Sequence, residues 1–434
     1  MVELLVKFEK SMGFGLALVL FAELFLFIWI DHKQWRTWYT PFNFLAIPYA
    51  LVLLVTLLSA GHFGLVDFYY PSLLPWIVGL PLFLLPSVVL RRCLPKKAVS
   101  AERTDPSPSL LPKLASVISF ICFFFLLVKL FLLIRDSDAV FGSEAFGFYF
   151  AGKSWSGHLA VLGMAIIVLL VPFLELPWKQ YGREKVWGVI IWLVLGGWMF
   201  FLFVNQIKAW IILPVLAGCI VRGFQGRLKL RIGWVVGGFA GCVAVFFLSY
   251  LLIYYSGNTL FPEETTLIGQ IRAIAGLFLH YVTSGTMGLS IDMQQGILEQ
   301  PDLNYILTPF YNIWYACTGQ PLVSGYNPEF VYSGINYTNV RTMFGTLYVF
   351  TNPFVFALLV LLGSVICYAI FLLAGKRWLW AKALYAWVCT VLFMAWFDTY
   401  TQLLTTYELP VYLVLLCLLV SLAERYKFAA MKVL

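Results

Sequence analysis

Stretches of roughly 20 apolar residues, long enough to cross about 30 Å of hydrocarbon, recur from Met12 to Ser421 with short polar breaks between them. The chain has 434 residues, of which 62 % are apolar and only 12 % charged, so it needs lipid as its solvent. The fold expected is an all-α polytopic membrane protein of about eleven transmembrane helices forming one integral membrane domain, 1–434. The spans fall at 12–30, 41–60, 71–90, 114–134, 155–174, 186–204, 209–221, 232–255, 344–373, 383–397 and 409–421.

The distribution of Lys and Arg tests this count, because a wrong number of spans would put basic loops on alternating sides. With these spans, the basic residues of 33–36, 91–113, 179–185, 222–231, 376–382 and 425–432 share one side. Lys7, Lys10, Arg135, Lys153, Lys208, Arg272 and Arg341 fall on the other side. The expectation is a multi-pass protein of a bacterial inner membrane with a periplasmic N-terminus and a cytoplasmic C-terminus. The net charge of +8 is then mostly a topology signal with some attraction to anionic lipid headgroups, and it says nothing about nucleic acid. Met1–Lys10 lacks a signal-peptide cleavage site and is expected to be a lead-in to the first span.

Seven of the eight cysteines fall in spans or at the cytoplasmic face, leaving Cys317 alone outside, so no disulfide framework is expected. The four histidines are scattered and no zinc spacing occurs. Neither a metal nor a cofactor is called for.

Two segments interrupt the alternation of span and short loop. Residues 91–113, rich in Pro, Ser and charge, are expected to be a cytoplasmic linker. Residues 256–343 are expected to be the large periplasmic loop, where function should be sought. Its first part has a helical pattern, with an apolar stripe of Leu267, Ile271, Ile274, Phe278 and Tyr281. Arg272, Gly276 and His280 share the opposite face, either to hold a ligand or merely to point to water and headgroups on a helix lying flat on the membrane. Arg272 and Arg341 are the only arginines of this loop, and a guanidinium offers bidentate recognition of phosphate. Residues 301–343 are crowded with aromatic and amide side chains. Tyr311, Trp314, Tyr315, Tyr326, Tyr332 and Tyr337 are candidates to stack on sugar rings, with Asn312, Asn327 and Asn336 bonding hydroxyls. The same residue types also populate any folded loop at a membrane interface.

The stretch NVRTMFGTLYVFTNPFVFALLVLLGSVICYAIF, Asn339 to Phe371, resembles the end of the periplasmic loop and the following span of Wzy-type oligosaccharide repeat-unit polymerases. HYVTSGTMGLSIDMQQG, His280 to Gly296, is similar to that family's Tyr, Gly and acidic segment. NQIKAWIILPVLAGCIVRG, Asn205 to Gly223, resembles its short external turn with one basic residue. The pattern departs where Asn352-Pro353 replaces an acidic residue and glycine, and where Lys208 lacks a preceding Gly-Ser.

The resemblance implies a membrane glycosyltransferase that moves a growing glycan from its polyprenyl diphosphate onto the next lipid-linked repeat unit at the periplasmic face. Its partners would be polyprenyl-diphosphate-linked oligosaccharide and membrane lipids, with room for a polysaccharide chain-length regulator. Such a reaction needs a cationic cradle for the leaving group and a base for the acceptor hydroxyl. Arg272, Arg341 and Lys208 are the cradle candidates. His280 and Asp292 are the first candidates for the base, followed by Glu329 and Asp398; Asp398 is also readable as a solvated helix end. An O-antigen ligase, transferring to lipid A core, shares this architecture. A lipid-oligosaccharide flippase or other transporter should instead show internal repeats with paired broken helices, which the sequence does not display.

Overall fold

The computed structural model describes residues 2–94, 110–136, 146, 149–150, 155–174, 183–205, 208–225, 232–255, 266–296, 302–323, 325, 327, 329–376 and 378–433. Three helices open the chain: α1 (Val2–Trp35), α2 (Pro41–Ser59) and α3 (Leu74–Cys93). Five follow: α4 (Leu111–Asp136), α5 (Trp155–Leu170), α6 (Arg183–Val204), α7 (Lys208–Phe224) and α8 (Ile232–Tyr255). Then come α9 (Leu267–Gln295), α10 (Leu303–Ile306) and α11 (Thr308–Thr318), and a hairpin of β1 (Val331–Tyr332) with β2 (Tyr337–Thr338). The chain closes with α12 (Met343–Phe350), α13 (Pro353–Ala374), α14 (Leu379–Phe393) and α15 (Thr405–Val433).

Among the described residues, 9 helices are long and apolar enough to cross a membrane, and Ala209–Phe224 and Leu379–Phe393 are shorter apolar helices. Large apolar side chains cover the outside: Phe25, Leu58 and Phe131 are each more than 60 % exposed. Such a surface is tolerated where the surroundings are lipid. The protein is therefore an all-α polytopic membrane protein.

The chain forms two compact units. The first comprises Met1–Ser100, Ile268–Leu372 and Val388–Thr406, and the second Ala101–Leu267, Leu373–Trp387 and Tyr407–Leu434. In the first unit α1 and α3 run parallel: Gly13 lies against Tyr70 at one end, and Asp31 bonds Ser87 at the other. Asp31 is fully buried and accepts from the Ser87 and Tyr368 hydroxyls, each at 2.7 Å, while Trp35 Nε1–H donates to Ser87 at 2.8 Å. An ionisable group inside a span needs such partners. Helix α13 keeps the same register against α3. Ser364 donates to Phe83 O, and Tyr368 meets Ser87 four residues further along both helices. Counting back along both sets Asn352 level with Pro71, at the Tyr70 end of the spans.

In the second unit the absence of a side chain at Gly163 admits Trp198, whose indole N–H donates to Ser119 Oγ at 2.9 Å. Lys129, inside α4, donates to Phe150 O at 2.6 Å and Ser156 Oγ at 2.5 Å. His158 Nδ1 and the Tyr412 hydroxyl both bond Glu408 Oε1.

Three expectations are corrected. The segment 256–343 contains α9, a 29-residue helix long and apolar enough to span a bilayer. Its stripe does not face one way either: Leu267 and Ile271 are exposed, Ile274 is buried and Phe278 and Tyr281 are half-buried, while on the opposite face Arg272 is exposed and His280 buried, so burial follows position along the helix. Second, 344–373 is not one span but two helices, broken at Thr351-Asn352, where Pro353 removes a backbone donor. Third, the segment 383–397 stops being helical at Phe393, leaving 394–404 largely irregular. Of the linker 91–113, residues 95–109 lie outside the described residues.

Candidate functional site

The C-terminal half of α9 reads TSGTMGLSID, Thr283 to Asp292, and every residue of it is buried. Small residues here let backbone approach backbone. A Cβ on Gly285 would lie 2.3 Å from Phe397 O, and one on Gly288 2.3 Å from Val340 O. Only glycine permits both chains to lie flush on this helix face. The hydroxyls turn inward on their own helix, Thr283 to Leu279 O at 2.9 Å and Ser284 to His280 O at 2.5 Å. Ser290 Oγ instead accepts from Tyr69 N–H at 2.7 Å, tying the segment before α3 to α9.

Against this face the chain after β2 turns sharply at Thr342, whose φ of +64° lies in a region that costs a threonine free energy. The turn is held from several sides. Thr342 Oγ1 accepts from Trp76 Nε1–H at 3.0 Å and Gly345 N–H at 3.1 Å. The backbone N–H groups of Thr342 and Met343 donate to Phe397 O at 3.0 Å and Ala395 O at 2.7 Å. Trp76 is itself stacked on Tyr49, with ring centroids 3.3 Å apart. Two irregular segments thus satisfy each other's backbone where both are shielded from solvent by protein.

The turn points Arg341 back at α9. Its guanidinium is 1 % exposed and meets Asp292 from two nitrogens, Nε to Oδ2 and Nη2 to Oδ1, the latter at 3.1 Å. Nη1 donates to Val340 O at 3.2 Å, and Nη2 also to Glu329 O at 3.4 Å. One helical turn into α12, Thr346 donates to Asp398 Oδ1 at 2.6 Å. Asp398 also accepts from Thr399 N–H at 2.7 Å and Gln402 Nε2 at 3.1 Å. Burial is the largest influence on this carboxyl and pushes its pKa up to about 6, against the opposing pull of its donors and of Arg341. Tyr305 stands beside Gln402 and stacks on Phe350, and burial together with the Asp398 charge raises its hydroxyl far above the ordinary tyrosine value. Two buried polar atoms here, Thr286 Oγ1 and Gln402 Oε1, make no hydrogen bond within the protein, leaving bonding capacity for a ligand or solvent.

The structure thus brings together Asp292 and Arg341 and adds Asp398, Thr346, Gln402 and Tyr305. His280 is buried on α9 a little over three turns before Asp292, with Nδ1 on Ser333 Oγ at 2.9 Å. Glu329 contributes its carbonyl to Arg341, while its side chain belongs to an exposed residue. Of the cradle candidates, Arg272 and Arg341 are not brought together. Arg272 is exposed, about 30 Å along α9 from Asp292 at 1.5 Å per residue. Lys208 opens α7 in the second unit, and its side chain is outside the described residues. Tyr332 and Tyr337 face each other across the hairpin with centroids 5.2 Å apart, both exposed. Asn336 is exposed at the turn, where its side-chain oxygen accepts from Tyr337 N–H at 2.8 Å. Tyr311 is half-buried on α11 and Trp314 is exposed there, whereas Tyr326 lies outside the described residues. Among the described residues no group of three or more His, Cys, Asp or Glu side chains could hold a metal ion.

Thr346, Gln402 and Tyr305 were not anticipated, because nothing in their local sequence marks them. The two glycines three apart in TSGTMG were the available signal, a small-residue face that a helix keeps only where another backbone touches it. No curated protein and no solved structure matches the chain. A model for a family of unknown function, DUF6337, matches residues 64–426, which include Asp292, Arg341 and Asp398, and the chain belongs to that family.

Proposed function

We propose that the protein is a membrane glycosyltransferase that polymerises polyprenyl-diphosphate-linked oligosaccharide repeat units for O-antigen or a related surface polysaccharide. It would act at the periplasmic face of a bacterial inner membrane, with its N-terminus periplasmic and its C-terminus cytoplasmic. The observation that carries the reading is Asp398, a buried carboxylate with a pKa of about 6 fixed near a guanidinium, in a unit that also carries the exposed Tyr332–Tyr337 pair. A base with that pKa accepts a proton from an acceptor hydroxyl near neutral pH. The resemblance of 280–296 and 339–371 to repeat-unit polymerases supports the same reaction. In this reading Asp398 takes the proton. Arg341, already held by Asp292, fixes the geometry and the field around it, so the diphosphate must find other donors.

A second reading is favoured by one observation. The irregular segment 394–404, between the apolar helices α14 and α15, pairs its backbone with the turn that opens α12, as non-helical backbone does in transporters whose sites lie between broken helices. Purified protein in nanodiscs, given a lipid-diphosphate-linked repeat unit alone, separates these possibilities. A ladder of products that disappears in Asp398→Asn supports the polymerase. Transfer only when lipid A core is added identifies a ligase, and no transfer from folded protein in either assay leaves the transporter.

A further inference from the structure

We propose that α11, with the segment around Val323 that folds back on it, is a lipid-binding helix seated in the interfacial zone of the bilayer at the Tyr70 end of the first unit. The proposal is independent of the catalytic reading.

Depth comes first. The shared register of α3 and α13 sets Asn352 level with Pro71, where the candidate span Tyr70–Cys93 begins. Asp302, Leu303 and Asn304 line a common groove with Thr351, Asn352 and Val355, and so lie at that level. Four residues later α11 starts, and Gly325 comes back against Gln402 and Thr308. The helix therefore leaves the unit at the height of a span end, where acyl chains give way to headgroups.

Its surface fits that position. Phe310, Ile313 and Trp314 are 51 %, 54 % and 63 % exposed, and Cys317 is exposed one turn on. The spacing i, i+3, i+4, i+7 makes one continuous apolar stripe. The other side is closed by the chain itself: Asn312 donates to Val323 O and accepts from Val323 N–H, both at 2.8 Å. That clasp adds Leu322 and Val323, 47 % and 43 % exposed, to the apolar surface. Exposed Leu303 and Phe354 at the same level continue it towards the lipid-facing side of α13. The sequence TPFYNIWYACT carries no charge, so attachment rests on apolar burial and an interfacial Trp rather than on anionic headgroups. Trp314 is then a lipid contact and not a platform for a sugar ring.

The test is site-directed spin labelling of the full chain in nanodiscs, with Cys93 and Cys317 replaced by Ser. Nitroxides are placed through Phe310→Cys, Ile313→Cys, Trp314→Cys and, as the opposite-face control, Tyr315→Cys. Leu58→Cys, on a span and 68 % exposed, serves as the lipid reference. Expected is a ratio of oxygen to water-soluble nickel-chelate accessibility several-fold higher at 310, 313 and 314 than at 315, and unchanged by adding phosphatidylglycerol to phosphatidylcholine. High nickel accessibility along the stripe would place the helix in water and overturn the proposal. Low accessibility to both reagents, marking a protein partner or a second copy, would overturn it equally.

Discussion

The guanidinium of Arg341 closes on the Asp292 carboxylate through two nitrogens, and both side chains are at most 4 % exposed. A pair so deeply placed has lost its hydration, and each charge is tolerable only because the other is there. Arg341→Leu or Asp292→Leu alone should therefore cost about 3–5 kcal/mol. The double substitution should cost clearly less than either single one, as read by thermal unfolding in nanodiscs. Equal or larger loss in the double variant would mean that the two groups are held by their other bonds.

Asp398 gives a pH dependence of definite sign. Its pKa is raised from 3.8 to about 6, so the folded state keeps a proton that the unfolded chain gives up. Below pH 3.8 both states are protonated and this group's contribution to stability is fully present. As the pH rises towards 6 it is lost, on the order of 3 kcal/mol in all, and it stays lost above. Asp398→Asn should flatten that stretch and make the protein no less stable at pH 7, since Gln402 can turn its unbonded Oε1 to the new amide. Transfer activity, if Asp398 is the base, should rise through pH 6 in the parent and be absent in the variant. Unfolding midpoints and rates measured from pH 4 to 8 check both.

Two alanine substitutions on one helix should go opposite ways. At Gly288 the new methyl meets Val340 O at 2.3 Å, main chain that cannot swing aside, so a loss of at least about 1–3 kcal/mol is expected. At Gly276 nothing lies within 4 Å, and the lower chain entropy of alanine should be neutral or stabilise by about 0.5–1 kcal/mol. Unfolding of the two variants side by side decides it.

Tyr332 and Tyr337 test the sugar platform. Both are more than half exposed, so replacing them by Ala should leave the unfolding midpoint within a degree or two of the parent. If they stack on the acceptor glycan, KM should rise about tenfold with kcat little changed, the scale of one aromatic contact. An unchanged KM would leave them as hairpin residues only.

The membrane-spanning character was plain in the chain because burial in lipid demands long apolar runs, and α1 to α6 fall where those runs are. The misreadings cluster where that demand is relaxed. Helix α9 carries Arg272, His280 and Asp292, enough polarity to read as part of an external loop, yet its buried His280 and Asp292 are bonded by protein. The breaks at Thr351 and Phe393 sit within apolar runs, where composition is blind to backbone pairing. At the site, Asp292 and Arg341 could be named as charges of interest but not as each other's partners, since 49 residues separate them. Asp398 was readable as a solvated helix end because its burial depends on Thr346 and Gln402, contacts that a local pattern does not contain.

The bonds from Thr342 and Met343 to Phe397 and Ala395 also set a timetable for synthesis. When Arg341 is made, Asp292 and Trp76 already exist, so the ion pair and the indole bond can form at once. The two N–H groups beside them must wait for more than 50 further residues before their acceptors are translated. Until then this turn cannot be sealed from water, and a chain stalled before Ala395 would carry an open polar seam into the bilayer. Such a nascent chain is a natural substrate for membrane quality control, and completion of the last quarter of the protein is what closes the seam.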